Sequence, residues 1–445
     1  MNAAFVKAAT IQLSGSPEVR GVLAETPPFF SLRYLQSTEP AISPSLPQPP
    51  DQHLAPELFP YFDNLAPEGP NAAMVAGIYG IDPNQRFDLL LATGRDLSGH
   101  CQLLSNYYPP LPPINLHERR LETPPSVPFC LATLEPLSGD RQFYSPQAQN
   151  ELGLAPLGYL PFARSDIPAL DRAAVGEQQA LAGMQPKFSG SVLINGNLSN
   201  YAVFNRAIVK TPNPENPAII LNEHLTMLLA RRTEIPTANS FLMPMADGAF
   251  ALVVVRFDRT PDGRRLPCED FCQVLQMPAA KKYDFDLTNI RDGLRYSSSP
   301  TTDANRLFDQ IIFSLYCGNS DAHLKNYSVV SDKQTWRLSP AYDLVNTSLF
   351  GRVDEQTALP LAGVANNLTN THIYRLAEAM TVDASKAREI CSRIASHHKL
   401  HLELIARSCM SPHHKALYAR TLEKSMVKLK LTKESTMTAV RRKHK

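Results

Sequence analysis

The chain has 445 residues, 43% of them hydrophobic and 19% charged, enough apolar material for about two to four packed domains. Its formal net charge of +2 supplies no overall attraction to nucleic acid. No run of eighteen or more apolar residues occurs, and the N-terminus lacks a basic flank followed by an apolar block. These absences point away from a membrane span or a secretion signal and toward a cytoplasmic protein.

Seven cysteines, an odd number scattered from Cys101 to Cys409, fit reduced thiols better than a disulfide framework. Cys268 and Cys272 have no second ligand pair nearby, which argues against zinc. Thirty-eight prolines cluster at PPFF, SPSLPQPP, YPPLPPINLHERRLETPPSVP and TPNPENP, and such clusters mark extended linkers and loops. In chain order, FSLRYL reads as a strand, and YFDNLAPEGPNAAMVAGIYG as a turn followed by a helix. RFDLLLATGRDLSGHCQLL then reads as a helix, a glycine turn and a strand, which completes a small subdomain over 1–105. Residues 106–129 are too rich in proline for a core element and read as a connector.

Over 130–260 the segments SGSVLI, NYAVF, AIVKT and FALVVVRFDR carry the β-branched and aromatic residues of strands, and one helical pattern, AIILNEHLTMLLARRT, interrupts them. Over 261–445 the apolar spacing turns helical, in CEDFCQVLQM, ANRLFDQIIFSLYCG, a long run from IYRLAEAM to LIARS, and HHKALYARTLEKSMVKLK. The basic C-terminal residues read as a solvated helix end or tail.

The segment GNSDAHLKNYSVV follows an apolar helix that stops at Gly318 and precedes a short strand, so its polar residues sit on a loop. Asp321 and Asn326 there are separated by four residues, the spacing of the catalytic loop of protein kinases. In that chemistry the aspartate accepts a hydrogen bond from an attacking hydroxyl, while the asparagine offers an amide oxygen to magnesium on the nucleotide phosphates. Magnesium favours hard oxygen ligands including a carboxylate, and seventeen residues after Asn326 comes Asp343, in SPAYDLV. Taken alone an Asp or Asn in a loop is usually a turn or a cap. Two further features add to it: AIVK ends a strand on Lys210, with Glu223 on the helix behind, and EQQALAGMQPKFSGSVLI places Ala182 and Gly183 before Lys187 in a loop feeding a strand.

These residues resemble the HipA-type serine/threonine kinases, toxins of bacterial toxin–antitoxin pairs. The resemblance rests on FDNLAPEG, FDLLLATGRDLSG, LAGMQPKFS, the NE pair at 222 and 223, VRFDR, EDFCQVLQ with KKYD, and GNSDAHLKN with LSPAYDL. It implies an α+β, protein-kinase-like two-lobe fold, with a β-rich N-lobe at 130–260 joined to the small N-terminal subdomain, an all-helical C-lobe at 261–445, and nucleotide between the lobes. By the same resemblance ATP is held by the loop Ala182, Gly183, Met184, Gln185, Pro186 and Lys187, by Lys210, and by Val255, Arg256 and Phe257, mainly through their backbone. Asp321 is the implied catalytic base. His323, Leu324, Lys325, Asn326, Tyr342 and Asp343 line the phosphates, and Asn326 and Asp343 hold Mg2+. The implied partners are a protein substrate, often of the translation machinery in this family, and a HipB-like DNA-binding antitoxin through which DNA contact would be indirect.

Two departures stand out. The family commonly carries an autophosphorylated serine ahead of the nucleotide loop, where this chain has Ala180, and usually an acid where it has Val255. Two rival readings remain at this stage: a catalytically weak or inactive nucleotide-binding protein acting with a DNA-binding antitoxin, and a kinase for a small molecule or lipid. No helix-turn-helix signature is visible in the sequence.

Overall fold

The computed structural model describes residues 6–35, 41–112, 117–121, 124–139, 142–178, 187–190, 204, 206–351 and 356–429. The chain divides into two compact units, one of Met1–Ile220, Asn239–Lys281 and Ser328–Trp336, the other of Leu221–Ala238, Lys282–Tyr327 and Arg337–Lys445. Among the described residues no helix is long and apolar enough to cross a membrane.

The first unit opens with β1 (Lys7–Leu13), β2 (Val19–Thr26), β3 (Phe29–Tyr34) and β4 (Gln52–Ala55), then α1 (Pro60–Asp63), α2 (Gly69–Tyr79), α3 (Arg86–Thr93) and β5 (Cys101–Leu104). The strands form an antiparallel sheet in the order β4-β3-β2-β1-β5. Along β1 burial alternates, so Ala9, Ile11 and Leu13 enter a core with Phe62, Leu90 and Leu91 from the helices. Helix α2 begins with a proline in its first turn and stops on Gly80, in the left-handed conformation at φ +67. The turn after α3 requires glycine for a different reason: a Cβ on Gly94 would lie 2.6 Å from the Leu103 carbonyl oxygen.

Two short helices follow, α4 (Pro146–Leu152) and α5 (Ile167–Gly176), inside the stretch that the sequence pattern presents as strands. Each starts on or next to a proline, and Ser145 caps α4 by accepting from the Ala148 N–H. β6 (Lys187–Ser189), β7 (Ala207–Lys210), α6 (Ile219–Arg232), β8 (Ser240–Pro244) and β9 (Phe250–Val255) come next, the four strands forming a sheet in the order β6-β7-β9-β8. The segments AIVKT and FALVVVRFDR become β7 and β9, whereas most of SGSVLI and NYAVF lies outside the described residues. Cys268–Asp270 (β10) is a strand rather than the start of the helix expected over CEDFCQVLQM, because it pairs with the distant β11 (Ser328–Asp332). Only Phe271–Val274 (α7) is helical there, closed by reciprocal Asp270 and Gln273 capping bonds.

A buried ionic cluster ties the N-terminal sheet region to the segment after β9. The Asp258 carboxylate accepts from Arg256 Nε at 2.9 Å, from an Arg259 guanidinium nitrogen at 2.8 Å and from the Gly99 N–H at 2.8 Å. Arg259 also donates to Asp96 at 2.9 Å and to the Leu97 and Gly99 carbonyls. Burial alone would raise the Asp258 carboxyl, but the guanidinium groups of Arg256 and Arg259 override it and hold the group well below the usual carboxylate range.

The second unit is built on α8 (Pro300–Cys317), whose Leu307, Phe308, Ile311, Ile312 and Tyr316 are buried. After β12 (Thr335–Leu338) come the hairpin β13 (Gln356–Leu361) and β14 (Val364–Asn366), an addition to the helical pattern, and then α9 (Asn370–Ala379), α10 (Ala384–Ser396), α11 (His398–Arg407) and α12 (Pro412–Lys428). The long apolar run from IYRLAEAM to LIARS thus resolves into three helices. Arg393 on α10 donates to Asp309 on α8 and to the Thr233 carbonyl after α6, and Thr226 Oγ1 meets Tyr418 Oη at 2.7 Å. His401 is fully buried between Tyr316 and Thr233. Because Thr233 gives its own proton to the Leu229 carbonyl, His401 Nε2 donates to Thr233 and its Nδ1 accepts from Tyr316.

Two measurements check this core. Asp258→Ala leaves two buried guanidinium groups sharing Asp96 and is expected to cost about 3–5 kcal/mol in urea unfolding, whereas Arg119→Ala, at an exposed pair with Asp166, should leave the midpoint nearly unchanged. Burial, then the neighbouring His397 and His398, push His401 down to about 3. An unfolded histidine, near 6.5, gains its proton first. Stability should therefore be constant above about pH 6.5 and fall below it, by up to about 1.4 kcal/mol per pH unit, in unfolding titrations.

Candidate active site

In the second unit α8 delivers the loop. Its last turn ends on Gly318 at φ +74, where a Cβ would lie 2.6 Å from Thr421 Cγ2 and 3.2 Å from Asn346 Oδ1. The Gly318 carbonyl accepts from the N–H and hydroxyl of Thr347, and Thr347 Oγ1 in turn accepts from the Ser320 N–H at 2.9 Å. Asn319 Oδ1 takes the Asp321 N–H at 3.1 Å, and the Asp321 carbonyl takes the His323 N–H at 2.8 Å. The chain then makes a 3-10 turn over Leu324–Asn326, fixed by the fully buried Leu324. The loop from Gly318 to Asn326 is thereby held by several local bonds and one apolar anchor, which is how a loop can present a polar cluster reproducibly.

The partner strand of chain, Leu338–Asn346, is fixed independently. Asp303 accepts from the Leu338 N–H at 3.0 Å and Gln310 donates to the Ser339 carbonyl at 3.2 Å, both from α8. Ala341 exchanges backbone bonds with Pro236 and Ala238. Asn222 of α6 donates to the Asn346 carbonyl at 2.8 Å and accepts the Asn346 N–H at 2.9 Å, with both side chains fully buried. Between these anchors Asp343 adopts φ +58, a left-handed conformation that aspartate tolerates better than most residues.

The result brings together six of the residues singled out by sequence. Asn326 Nδ2 donates to Asp343 Oδ2 at 3.3 Å, Tyr342 Oη donates to the Lys325 carbonyl at 2.7 Å, and Asp321 and His323 lie on the same loop, half-buried. The Asn326 amide oxygen accepts the His323 N–H at 3.1 Å, and the Asp343 carboxylate is a hard oxygen donor of the type that magnesium prefers. Among the described residues no three His, Cys, Asp or Glu side chains cluster as a metal cage. Sequence reading did not assign a role to three residues: Asn222, Thr347 and Tyr283, whose hydroxyl donates to Asp321 Oδ1 at 2.8 Å. Glu223 is buried on α6.

In the first unit Lys187 and Lys210 are directly opposite partners in the β6–β7 ladder, with Lys210 buried. Val255 ends β9 opposite Ala207, its N–H donating to the Asn239 carbonyl. The Arg256 side chain is committed to Asp258 and Leu97, so any ligand contact at this position falls to the backbone. Phe257 follows in the same turn and is half-buried. Ala182, Gly183, Met184, Gln185 and Pro186, with Ala180, lie outside the described residues.

The model of the HipA-like C-terminal domain matches residues 179–401, and that of the HipA N-terminal domain matches 21–104. The chain belongs to the HipA family. This HipA-family protein is 31% identical to Y4mE of Sinorhizobium fredii over 337 residues, 72% of this chain and 71% of that one. It is 29% identical over 210 residues to the serine/threonine-protein kinase toxin HipA of Shewanella oneidensis, 41% of this chain and 46% of the toxin. A chain in the solved Shewanella oneidensis complex of HipA, HipB and operator DNA shares its fold, with a TM-score of 0.65, 19% identity, and coverage of 94% and 96% of the two chains. The architecture is accordingly the α+β, kinase-like HipA fold.

Gly318→Ala tests how tightly the loop is set. The left-handed backbone alone should cost about 1–2 kcal/mol, seen as a lower melting temperature, while Asp321→Asn, which removes no backbone bond, should melt like the wild type.

Proposed function

We propose that this HipA-family protein is a serine/threonine protein kinase that uses ATP and Mg2+ and acts as the toxin of a toxin–antitoxin pair. The observation that supports this best is the contact of Asn326 with Asp343 beside the loop that carries Asp321. Phosphoryl transfer asks little covalent chemistry of a protein; it asks for positioning and for neutralisation of charge. Asp321 is the group that receives the acceptor hydroxyl's proton as its oxygen attacks the γ-phosphorus, and ADP leaves. Asn326 and Asp343 are the residues that would hold magnesium, which when bound neutralises charge developing on the phosphate oxygens. Lys187 and Lys210 remain the cations that the family resemblance assigns to ATP.

The acceptor is a serine or threonine of a protein, and the partner is a HipB-like DNA-binding antitoxin, as in the solved HipA, HipB and operator DNA assembly. Contact with DNA would then run through that partner. A cytoplasmic location fits this role. The retention of Asp321, Asn326 and Asp343 favours an active kinase over an inactive nucleotide-binding protein.

A thermal-shift titration with ATP and magnesium tests the reading, because a ligand that binds only the folded state raises its melting temperature. At one hundred times its dissociation constant the ligand should add about 2.7 kcal/mol of stability. The shift should require magnesium and vanish in Asp343→Ala. Asp321→Asn should keep the shift but lose phosphoryl transfer to any acceptor, and transfer that survives the substitution would remove Asp321 from the role of base.

A further inference from the structure

The hydroxyl of Tyr283 sits on the residue read above as the base. Tyr283 Oη donates to Asp321 Oδ1 at 2.8 Å, and its ring meets the His323 ring edge-on, centroids 5.0 Å apart. The residue is 40% exposed. Its own segment is pinned just before it, since the Leu324 N–H donates to the Lys282 carbonyl at 3.2 Å and Lys282 Nζ lies 5.6 Å from the Tyr283 ring centroid.

We infer that Tyr283 occupies the acceptor hydroxyl's place on Asp321 in the resting protein, a built-in stand-in that an incoming serine or threonine, or a water, must displace. The inference rests on Asp321 being the base. Chemistry supports the identification: the group on the carboxylate is itself an O–H donor, the same functional group that an acceptor brings, at the same hydrogen-bond length. Tyr283 is 40% exposed, so the carboxylate it covers lies where an acceptor arriving from solvent can compete for it. The Asp321 main chain is held separately, by Asn319 Oδ1 on its N–H and by the His323 N–H on its carbonyl.

Productive transfer then breaks the phenol's bond to Asp321 and forms one from the acceptor's O–H. As the acceptor oxygen bonds to the γ-phosphorus, its proton passes to Asp321 and the bond to ADP breaks. Tyr283 loses no atom and gains none. Its cost is competitive, so every acceptor pays for displacement, and water, the weakest and most abundant acceptor, is held back most visibly. The device suppresses futile ATP hydrolysis in the absence of a docked substrate.

The test needs no knowledge of the acceptor. MgATP hydrolysis by the full chain is measured with no other acceptor added, for the wild type, Tyr283→Phe, and Tyr283→Phe combined with Asp321→Asn, alongside the nucleotide-dependent thermal shift of each. Phenylalanine keeps the ring against His323 and removes only the hydroxyl. The expected result is hydrolysis about tenfold faster in Tyr283→Phe, the size set by loss of one hydrogen bond to a charged group, an unchanged thermal shift, and no gain in the double variant. If all proteins bind nucleotide and Tyr283→Phe hydrolyses it at the wild-type rate, more slowly, or not at all, the stand-in role is overturned while the nucleotide site survives. A gain that persists in the double variant also overturns it, because the hydroxyl would then act elsewhere than on Asp321. If no protein binds nucleotide, the kinase reading falls and takes this inference with it.

Discussion

Asn222 and Asn346 exchange two hydrogen bonds at full burial, and the geometry of the acidic loop hangs on that exchange. A side-chain amide that both donates to and accepts from one backbone residue imitates a strand partner, and it fixes direction as well as distance. The residue so fixed lies three positions after Asp343. Asp303 and Gln310 on α8 secure the other flank, through Leu338 and Ser339. A carboxylate on a connecting segment thereby gains the positional definition of one on a helix. The same α8 ends on Gly318 and supplies the Asp321 loop, so one helix sets both halves of the polar cluster.

The first unit relies on charge in a different manner. Asp96, Arg256, Asp258 and Arg259 are all buried, which is tolerable only because each guanidinium or carboxylate meets opposite charge and backbone dipoles at hydrogen-bond distance. Such a cluster joins the loop after α3 to the segment after β9 with little freedom to slide. It also settles what Arg256 is free to do: its planar fork is spent on Asp258 and Leu97.

Much of this was legible in the sequence, and what was not has physical reasons. α8 announced itself by three-to-four-residue apolar spacing and a glycine stop, and the Asp321, Asn326 and Asp343 set by its spacing taken together with Lys210, Glu223 and the loop before Lys187. β8 carried no alternation, because all five of its residues are buried and a strand buried on both faces shows no period of two. α4, PQAQNEL, is too short and too polar to show a helical stripe. β10 is a strand only because β11, some sixty residues away, supplies its partner, and local pattern cannot report a partner. Tyr283 stands 38 residues before Asp321, with no spacing rule linking them. The motif KKYD marked the stretch as familiar without saying which atom it would touch. The ionic cluster was hidden likewise, since Asp96 and Arg259 meet across 163 positions.

The left-handed backbone of Asp343 has an evolutionary consequence. A non-glycine residue in a sparsely populated conformation carries about 1–3 kcal/mol of strain, and glycine at this position would relieve it while deleting the carboxylate proposed above to hold magnesium. Selection for robustness alone therefore drifts toward glycine here, and only selection for chemistry keeps the acid. Variant libraries of this chain screened for thermal resilience would be enriched in the loss of that carboxylate at one codon, so that the stablest sequence and the one carrying the proposed chemistry would be different molecules.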